Sequence, residues 1–252
     1  ILSEQTMYQK IVITKHKDDL RLFLDGNLQF SSVDEYRYHE PLIHIPMNLV
    51  QHRENILILG GGDGLAAREL LKYNEVQHIT VVDLDKDMTD LAMKNRIFTE
   101  LNQNSFNNKK VKVLNEDAFK FLENAKEYFD VIIIDLPDPN NSSLARLYSK
   151  EFYKVAKQKL AQNGILVTQA TSPYFSPEAY WCIEKSLISA GFKYTKPYHA
   201  YVPSFGDWGF VLAANKEISE NNIDIKVPTK FLDKNSISSL FHIEKDIIRK
   251  NI

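Results

Sequence analysis

The apolar run Ile56-Leu57-Ile58-Leu59 leads straight into Gly60-Gly61-Gly62-Asp63-Gly64, and Leu65–Tyr73 continues with helical spacing. Few folds accommodate that order. Four consecutive apolar residues predict a short strand buried on both faces. The glycines allow a sharp turn and a close approach of the backbone to a ligand. The helix behind them presents free N–H groups at its first turn.

The same alternation recurs downstream. Strands are predicted at His78–Val82, Val111–Leu114, Val131–Ile134 and Ile165–Thr168, with helices at Lys86–Leu101 and Asp117–Tyr128. Ser149 reads as the N-cap of a helix that carries Phe152, Val155, Ala156 and Leu160 on one face and is closed by Gly164. Ser176-Pro177-Glu178 opens another helix, with proline at its first position, ending near Gly191. Lys193–Ala200 and Trp208–Ala213 read as a last strand pair, joined by a loop and therefore antiparallel. Alternating apolar strands and helices predict an α/β fold with a sheet covered on both faces. The arrangement resembles the Rossmann-like class I methyltransferase fold, a mostly parallel sheet of seven strands.

The first fifty residues differ in character. Lys10–Thr14, Arg21–Leu24 and Leu28–Ser31 read as strands, the last two joined through Asp25-Gly26-Asn27, a hairpin signal. The expected organisation is an antiparallel β domain at 1–50, a Rossmann-like catalytic domain at 51–215 and an extension at 216–252. Phe231–Ile248 is expected to hold one or two helices.

Composition narrows the function classes. Of 252 residues, 44% are hydrophobic and 25% charged, enough for a sizeable core. A net charge of −2 carries no electrostatic footprint for nucleic acid. Cys182 is the lone cysteine, so no internal disulfide or zinc-thiolate site is expected, and a reducing, cytoplasmic setting fits. No apolar run is long enough to span a membrane, and no signal peptide is recognisable.

Three acids are expected at the ligand edge of the sheet. Asp83 follows the second strand at the distance from the glycines where an acid bonds ribose hydroxyls, and Asp117 follows the third. Asp85 is expected to cap the next helix. Asp63, inside the glycine turn, sharpens the ligand. A pyrophosphate, or the carboxylate of S-adenosylmethionine, would face a repulsion of about 4 kcal/mol at ~4 Å and an effective dielectric near 20. A tail that ends in an ammonium is attracted instead, and decarboxylated S-adenosylmethionine has that tail.

The fourth strand ends in Asp135-Leu136-Pro137-Asp138-Pro139, two carboxylates at the same edge in a loop stiffened by proline. They are suited to transfer to an amine. An alkylammonium has a pKa of ~10.4 and must lose a proton before its nitrogen can attack. A sulfonium leaves as a neutral thioether, so the step needs no general acid. Carboxylates that hold cations and one that takes a proton suffice, with no metal and no covalent nucleophile.

Tyr8-Gln9, Leu24-Asp25-Gly26, the stretch Asp34–Glu40, Gly60–Gly64, Asp117, Asp135–Pro139 and Pro203–Phe210 resemble the spermidine synthases in order and spacing. The resemblance covers residues 8–214. It implies a polyamine aminopropyltransferase in which decarboxylated S-adenosylmethionine is a co-substrate and no further cofactor is used. Gln9, His39, Gly60, Gly61, Asp63, Asp83, Glu116, Asp117 and Asp135 are then expected around the donor. Asp83 would hold the ribose, Asp117 the adenine amino group and Asp63 the aminopropyl ammonium. Asp138 is expected to deprotonate the amine, Tyr38 to orient it, and Asp135, Gln169, Tyr198 and Trp208 to line its channel. His199 is the alternative to Tyr198.

Two departures leave the acceptor open. Leu136-Pro137 stands where many members carry small polar residues, and Ala170-Thr171-Ser172 follows Gln169 where many carry a glutamate. Putrescine is the default acceptor. The resemblance also implies a homodimer or homotetramer. The longer bacterial members, which this chain resembles, carry membrane helices ahead of the catalytic part, so Ile1 is compatible with the start of a soluble domain of an inner-membrane protein. Two rival readings remain: a methyltransferase of the same fold, and a non-catalytic domain that senses a nucleoside.

Overall fold

The computed structural model describes residues 2–247. The chain opens with strands β1 (Leu2–Gln5), β2 (Lys10–His16), β3 (Asp19–Leu24) and β4 (Asn27–Ser31), followed by helix α1 (Tyr36–Met47). Next come β5 (Asn55–Gly60), α2 (Leu65–Leu70), β6 (His78–Val82), α3 (Lys86–Lys94), α4 (Arg96–Leu101) and β7 (Val111–Leu114). They are followed by α5 (Ala118–Asn124), β8 (Phe129–Asp135), α6 (Ser142–Ala145), α7 (Lys150–Gln158) and β9 (Leu160–Gln169). The chain continues through α8 (Pro177–Ser189), β10 (Tyr194–Val202), β11 (Gly206–Ala214) and α9 (Lys234–Leu240).

Strands β1 to β4 form one antiparallel sheet in chain order. Asp25 and Gly26 both have positive φ, 50° and 82°, as a tight hairpin turn between β3 and β4 requires. The main sheet has seven strands in the order β10-β11-β9-β8-β5-β6-β7. Its strands β5 to β9 run parallel, and β11 is antiparallel to both β9 and β10. This is the α/β architecture that the apolar runs predict.

Side-chain alternation explains why these strands carry no polar face. Ile56, Ile58, Val131, Ile133, Ile165 and Val167 point into one core, while Leu57, Leu59, Ile132, Ile134 and Leu166 point into another on the opposite face. Both faces are covered, so each of these strands reads as continuously apolar.

Local chemistry alters several expected boundaries. The helix expected over Lys86–Leu101 is two helices. Asn95 adopts an extended conformation and its side chain accepts from the Ile97 N–H, ending α3 and capping α4. The helix expected at Asp117–Tyr128 stops at Asn124. Ser149 caps α7 through the Phe152 N–H at 3.2 Å, but Gly164 does not close that helix. It lies in β9, where an added Cβ would meet the Asp130 carbonyl oxygen at 2.8 Å, so glycine serves close strand packing there.

Helix α1 is the main element the sequence conceals. It contains Pro41 and Pro46, and every residue from Tyr38 to Met47 is buried. Of the expected Phe231–Ile248 helices, the described residues contain α9, and Ile248 lies outside them. Among the described residues no helix is long and apolar enough to cross a membrane.

Candidate active site

The parallel strands end on one rim of the sheet with Gly60, then Asp83 just past β6, Asp117 past β7, Asp135 at β8 and Gln169 at β9. The glycine turn folds onto two of these acids. Gly60 has φ 87° and sits so close to β8 that a Cβ would lie 2.0 Å from the Asp135 carbonyl oxygen. The Gly61 N–H donates to that same oxygen at 3.2 Å. At Gly62 a Cβ would meet Asp83 Oδ2 at 2.6 Å. The turn is glycine-rich because backbone, not side chain, must pack against both carboxylate-bearing residues.

Asp63, Asp83, Asp135 and Asp138 give this rim its acidic character, and the charge of Asp63 is felt by both Asp83 and Asp135. Burial pushes the carboxyls of Asp83 and Asp135 up to about 6. For Asp83, amide donation from Asp85 and Gly62 opposes that rise, while the like charges of Asp85 and Asp63 add to it. For Asp135, His39 and Tyr38 oppose it and Asp63 adds to it. Burial also raises Asp63, whose Oδ1 accepts from the Leu65 N–H at 2.8 Å. Such a site gains by taking up cations, which restore the ionised state of each carboxyl.

His39 supplies the counter-charge. Its burial disfavours protonation, but Glu35, with Oε2 2.9 Å from His39 Nδ1, outweighs that and lifts the imidazole to about 9. Arg68 holds Glu35 from the other side at 2.9 Å and is paired with Glu69, which also bonds His44 at 2.8 Å. His39 is thus an imidazolium anchored on a buried ionic chain.

A second group surrounds Asp138. Gln169 Nε2 lies 2.7 Å from the Leu136 carbonyl oxygen and 3.2 Å from Asp138 Oδ1. Gln169 Oε1 accepts from the Thr171 N–H at 2.9 Å and from Trp208 Nε1 at 3.2 Å. Burial raises the Asp138 carboxyl, and Gln169 partly offsets that. Tyr38 donates to Asp135 Oδ1 at 2.5 Å, and its ring meets Phe205 and Trp208 edge-on at centroid distances of 6.0 and 6.5 Å. Asp135, Tyr38, Trp208, Gln169 and Asp138 are therefore joined through successive contacts, with an aromatic wall beside two carboxylates.

The remaining candidates divide. Gln9 reaches the rim indirectly, through a 2.8 Å bond from Nε2 to Asp85 Oδ2, which also accepts from Thr6 Oγ1. Asp85 caps α3 as expected, through the Asp87 N–H, and in addition pins the β1–β2 turn to the cleft. Asp117 caps α5 with one oxygen and pairs with Arg146 at 2.8 Å with the other. Glu116 beside it is exposed.

Tyr198, expected in the channel lining, is fully buried, stacks on Phe210 at 5.1 Å and donates to the Pro41 carbonyl oxygen at 3.0 Å. It lies behind the wall as core packing. His199 bonds Asp207 at 2.7 Å and the His242 carbonyl oxygen at 2.7 Å, which fixes the C-terminal segment.

The family model for the spermine/spermidine synthase domain matches residues 35–226. The chain belongs to the spermine/spermidine synthase family. It is 50% identical over 243 residues to a polyamine aminopropyltransferase of Oceanobacillus iheyensis, covering 96% of this chain and 47% of that protein. It is 47% identical to that of Leptospira interrogans, covering 99% and 50%. The chain spans about half the length of these curated relatives. Spermidine synthase from Thermotoga maritima superposes with a TM-score of 0.89 at 25% identity, over 98% of this chain and 85% of that one. A spermidine synthase solved with the transition-state analogue AdoDATO has the same fold, with a TM-score of 0.90 at 24% identity over 98% and 86%.

Sequence reading assigned no role to several residues that contact the candidate site. Glu35 under His39 and Asp34, which accepts from the Ser204 N–H at 2.7 Å and from Ser204 Oγ at 2.8 Å, sit inside the Asp34–Glu40 stretch. Their partners are distant in sequence, so no local spacing announces the pairing. Arg146 and Tyr148 lie in a short 3₁₀ turn without periodicity and gave no signal.

Proposed function

We propose that this chain is the catalytic part of a polyamine aminopropyltransferase that moves the aminopropyl group of decarboxylated S-adenosylmethionine to an amine. Putrescine is the acceptor in this reading, giving spermidine and methylthioadenosine. The supporting observation is the convergence of Asp63, Asp83 and Asp135, with pKa values raised by burial and like charge, on one glycine turn, beside Asp138 and an aromatic wall. A dicationic donor and a cationic acceptor both relieve that charge.

In this mechanism Asp83 binds the ribose hydroxyls, and Gln9, His39 and Glu116 complete the donor pocket. Asp117 exchanges its bond to Arg146 for the adenine amino group. Asp63 takes the ammonium of the aminopropyl tail. The amine lies between Tyr38, Asp135 and Asp138 against Trp208 and Gln169. Asp138 accepts one proton from it, and the freed lone pair attacks the methylene carbon bonded to sulfur. The new C–N bond forms as the C–S bond breaks, and methylthioadenosine leaves as a neutral thioether. Alignment of nucleophile, carbon and sulfur carries much of the rate.

Incubation with decarboxylated S-adenosylmethionine and a panel of diamines, with products identified by mass spectrometry, tests this. Methylthioadenosine and an amine heavier by one aminopropyl group are expected. S-adenosylhomocysteine and a methylated amine, formed from S-adenosylmethionine instead, would overturn the reading.

A further inference from the structure

Tyr148 closes the 3₁₀ turn Arg146–Tyr148 ahead of α7, and its ring is packed in the core on the β8–β9 side of the sheet, 5% exposed. Its hydroxyl oxygen lies 2.5 Å from Gln169 Nε2, 2.9 Å from the Leu136 carbonyl oxygen and 3.1 Å from that of Pro137. The direction of each bond follows from chemistry. Gln169 Oε1 faces two donors, the Thr171 N–H and Trp208 Nε1, so the amide cannot be flipped and its NH2 must face Asp138. The phenol oxygen then accepts from Gln169, and its single hydrogen goes to the loop carbonyls.

Gln169 has two N–H hydrogens and three acceptors within reach: Tyr148 at 2.5 Å, the Leu136 carbonyl at 2.7 Å and Asp138 at 3.2 Å. The two shorter contacts take the hydrogens, and the carboxylate receives the weakest share. That matters for a base. A carboxylate bonded fully by an amide is a poorer proton acceptor, and one left loose in its loop is poorly placed.

We propose that Tyr148 is a positioning residue for the transfer reaction: its hydroxyl draws off one Gln169 hydrogen and ties down the Leu136–Pro137 backbone, holding Asp138 in place with its lone pairs open to the amine. The proposal rests on the reading of Asp138 as proton acceptor. A tyrosine that merely fills the core would make the same ring contacts without influencing Asp138.

Tyr148→Phe keeps the ring and removes the bridge. The freed Gln169 hydrogen turns to Asp138, so the Asp138 carboxyl, followed by carbon-13 NMR in labelled protein, is expected to titrate ~0.5 unit lower or more. Amine turnover is expected to fall about tenfold, with the acid limb of the kcat profile moved the same way and the amine KM within about twofold. 3-Fluorotyrosine at position 148 retains the packing and makes the hydroxyl a poorer acceptor. It should shift the carboxyl in the same direction by less, and it serves where Tyr148→Phe does not fold. An unmoved Asp138 titration in either protein would overturn the proposal, as would a Tyr148→Phe loss confined to thermal stability. The titration speaks for Tyr148 independently of turnover, whereas a parent protein inactive on every amine counts against the aminopropyltransferase reading.

Discussion

The Tyr38 hydroxyl donates to Asp135 Oδ1 at 2.5 Å, and this bond is one of the few influences that hold the Asp135 carboxyl down against burial. Tyr38→Phe therefore raises that carboxyl above its present value of about 6 and leaves it partly protonated near neutrality. The amine kcat/KM is expected to fall about tenfold at neutral pH and to recover in part as the pH is raised and Asp135 ionises again. A loss that stays constant across the pH range would place the effect of Tyr38 elsewhere.

Asp138→Asn keeps the shape of the side chain and its contact with Gln169 but removes the proposed proton acceptor. Turnover should drop about a hundredfold or more, the usual loss for a proton-handling group. Binding of the nucleoside donor, measured by calorimetry, should hold steady if Asp138 serves the amine side as proposed. Turnover within a few-fold of the parent would remove Asp138 from the mechanism.

Charge in the cleft is coupled to ligand binding. Asp83 and Asp135 are both partly protonated near their pKa of about 6, and a cationic donor favours their ionised forms. Binding of decarboxylated S-adenosylmethionine is expected to release protons at acid pH and to release almost none two pH units higher. Calorimetry in buffers of different ionisation enthalpy reads that count directly. Proton uptake at the lower pH would contradict the charge assignment.

Much of this architecture is written in local sequence. The strands appear as apolar tetrapeptides, and the cleft edge appears as Gly60–Gly64, Asp83, Asp117 and Asp135 because each follows a strand. Helix α1 is invisible for the opposite reason: prolines at 41 and 46 and aromatic residues argue against a helix, and burial of Tyr38 to Met47 overrides that preference. Gln169 could be placed at the rim, but its role as a bridge between Trp208, Asp138 and Tyr148 depends on contacts that exist only after folding. The same holds for Tyr198, whose burial against Phe210 and bond to the Pro41 carbonyl oxygen no local spacing announces.

The buried ionic chain beneath the cleft should shape stability at both ends of the pH scale. His39 rises from 6.5 to about 9 on folding, so its stabilisation is complete below pH 6.5 and is lost as the pH climbs through 9. Glu69 falls from 4.5 to about 2, so its stabilisation is present above pH 4.5 and is lost as the pH drops towards 2. Thermal melts across this range should show both limbs. Glu35→Gln, which removes the anion facing His39, should flatten the alkaline limb and leave the acid limb of Glu69 in place. An alkaline limb unchanged in that variant would separate His39 from the effect.

Gly62 offers the sharpest test of how the turn builds the proposed nucleoside pocket. Its φ is not positive, so alanine there is tolerated by the backbone. The obstacle is Asp83, whose Oδ2 would lie 2.6 Å and whose carboxyl carbon 2.9 Å from the new methyl. The carboxylate must rotate away, because the glycine turn itself is held by the Gly61 bond to the Asp135 carbonyl oxygen. Rotation breaks the alignment of Asp83 with the Asp85 N–H, now 2.9 Å, and with any ribose hydroxyl it holds. Gly62→Ala is therefore expected to weaken donor binding about tenfold or more, equivalent to ~1.4 kcal/mol, with little change in melting temperature. Asp83→Ala should weaken binding by a similar factor, and the double variant by no more than either alone, since both act on one contact. Additive losses in the double variant would mean that Gly62 serves the ligand directly and not through Asp83.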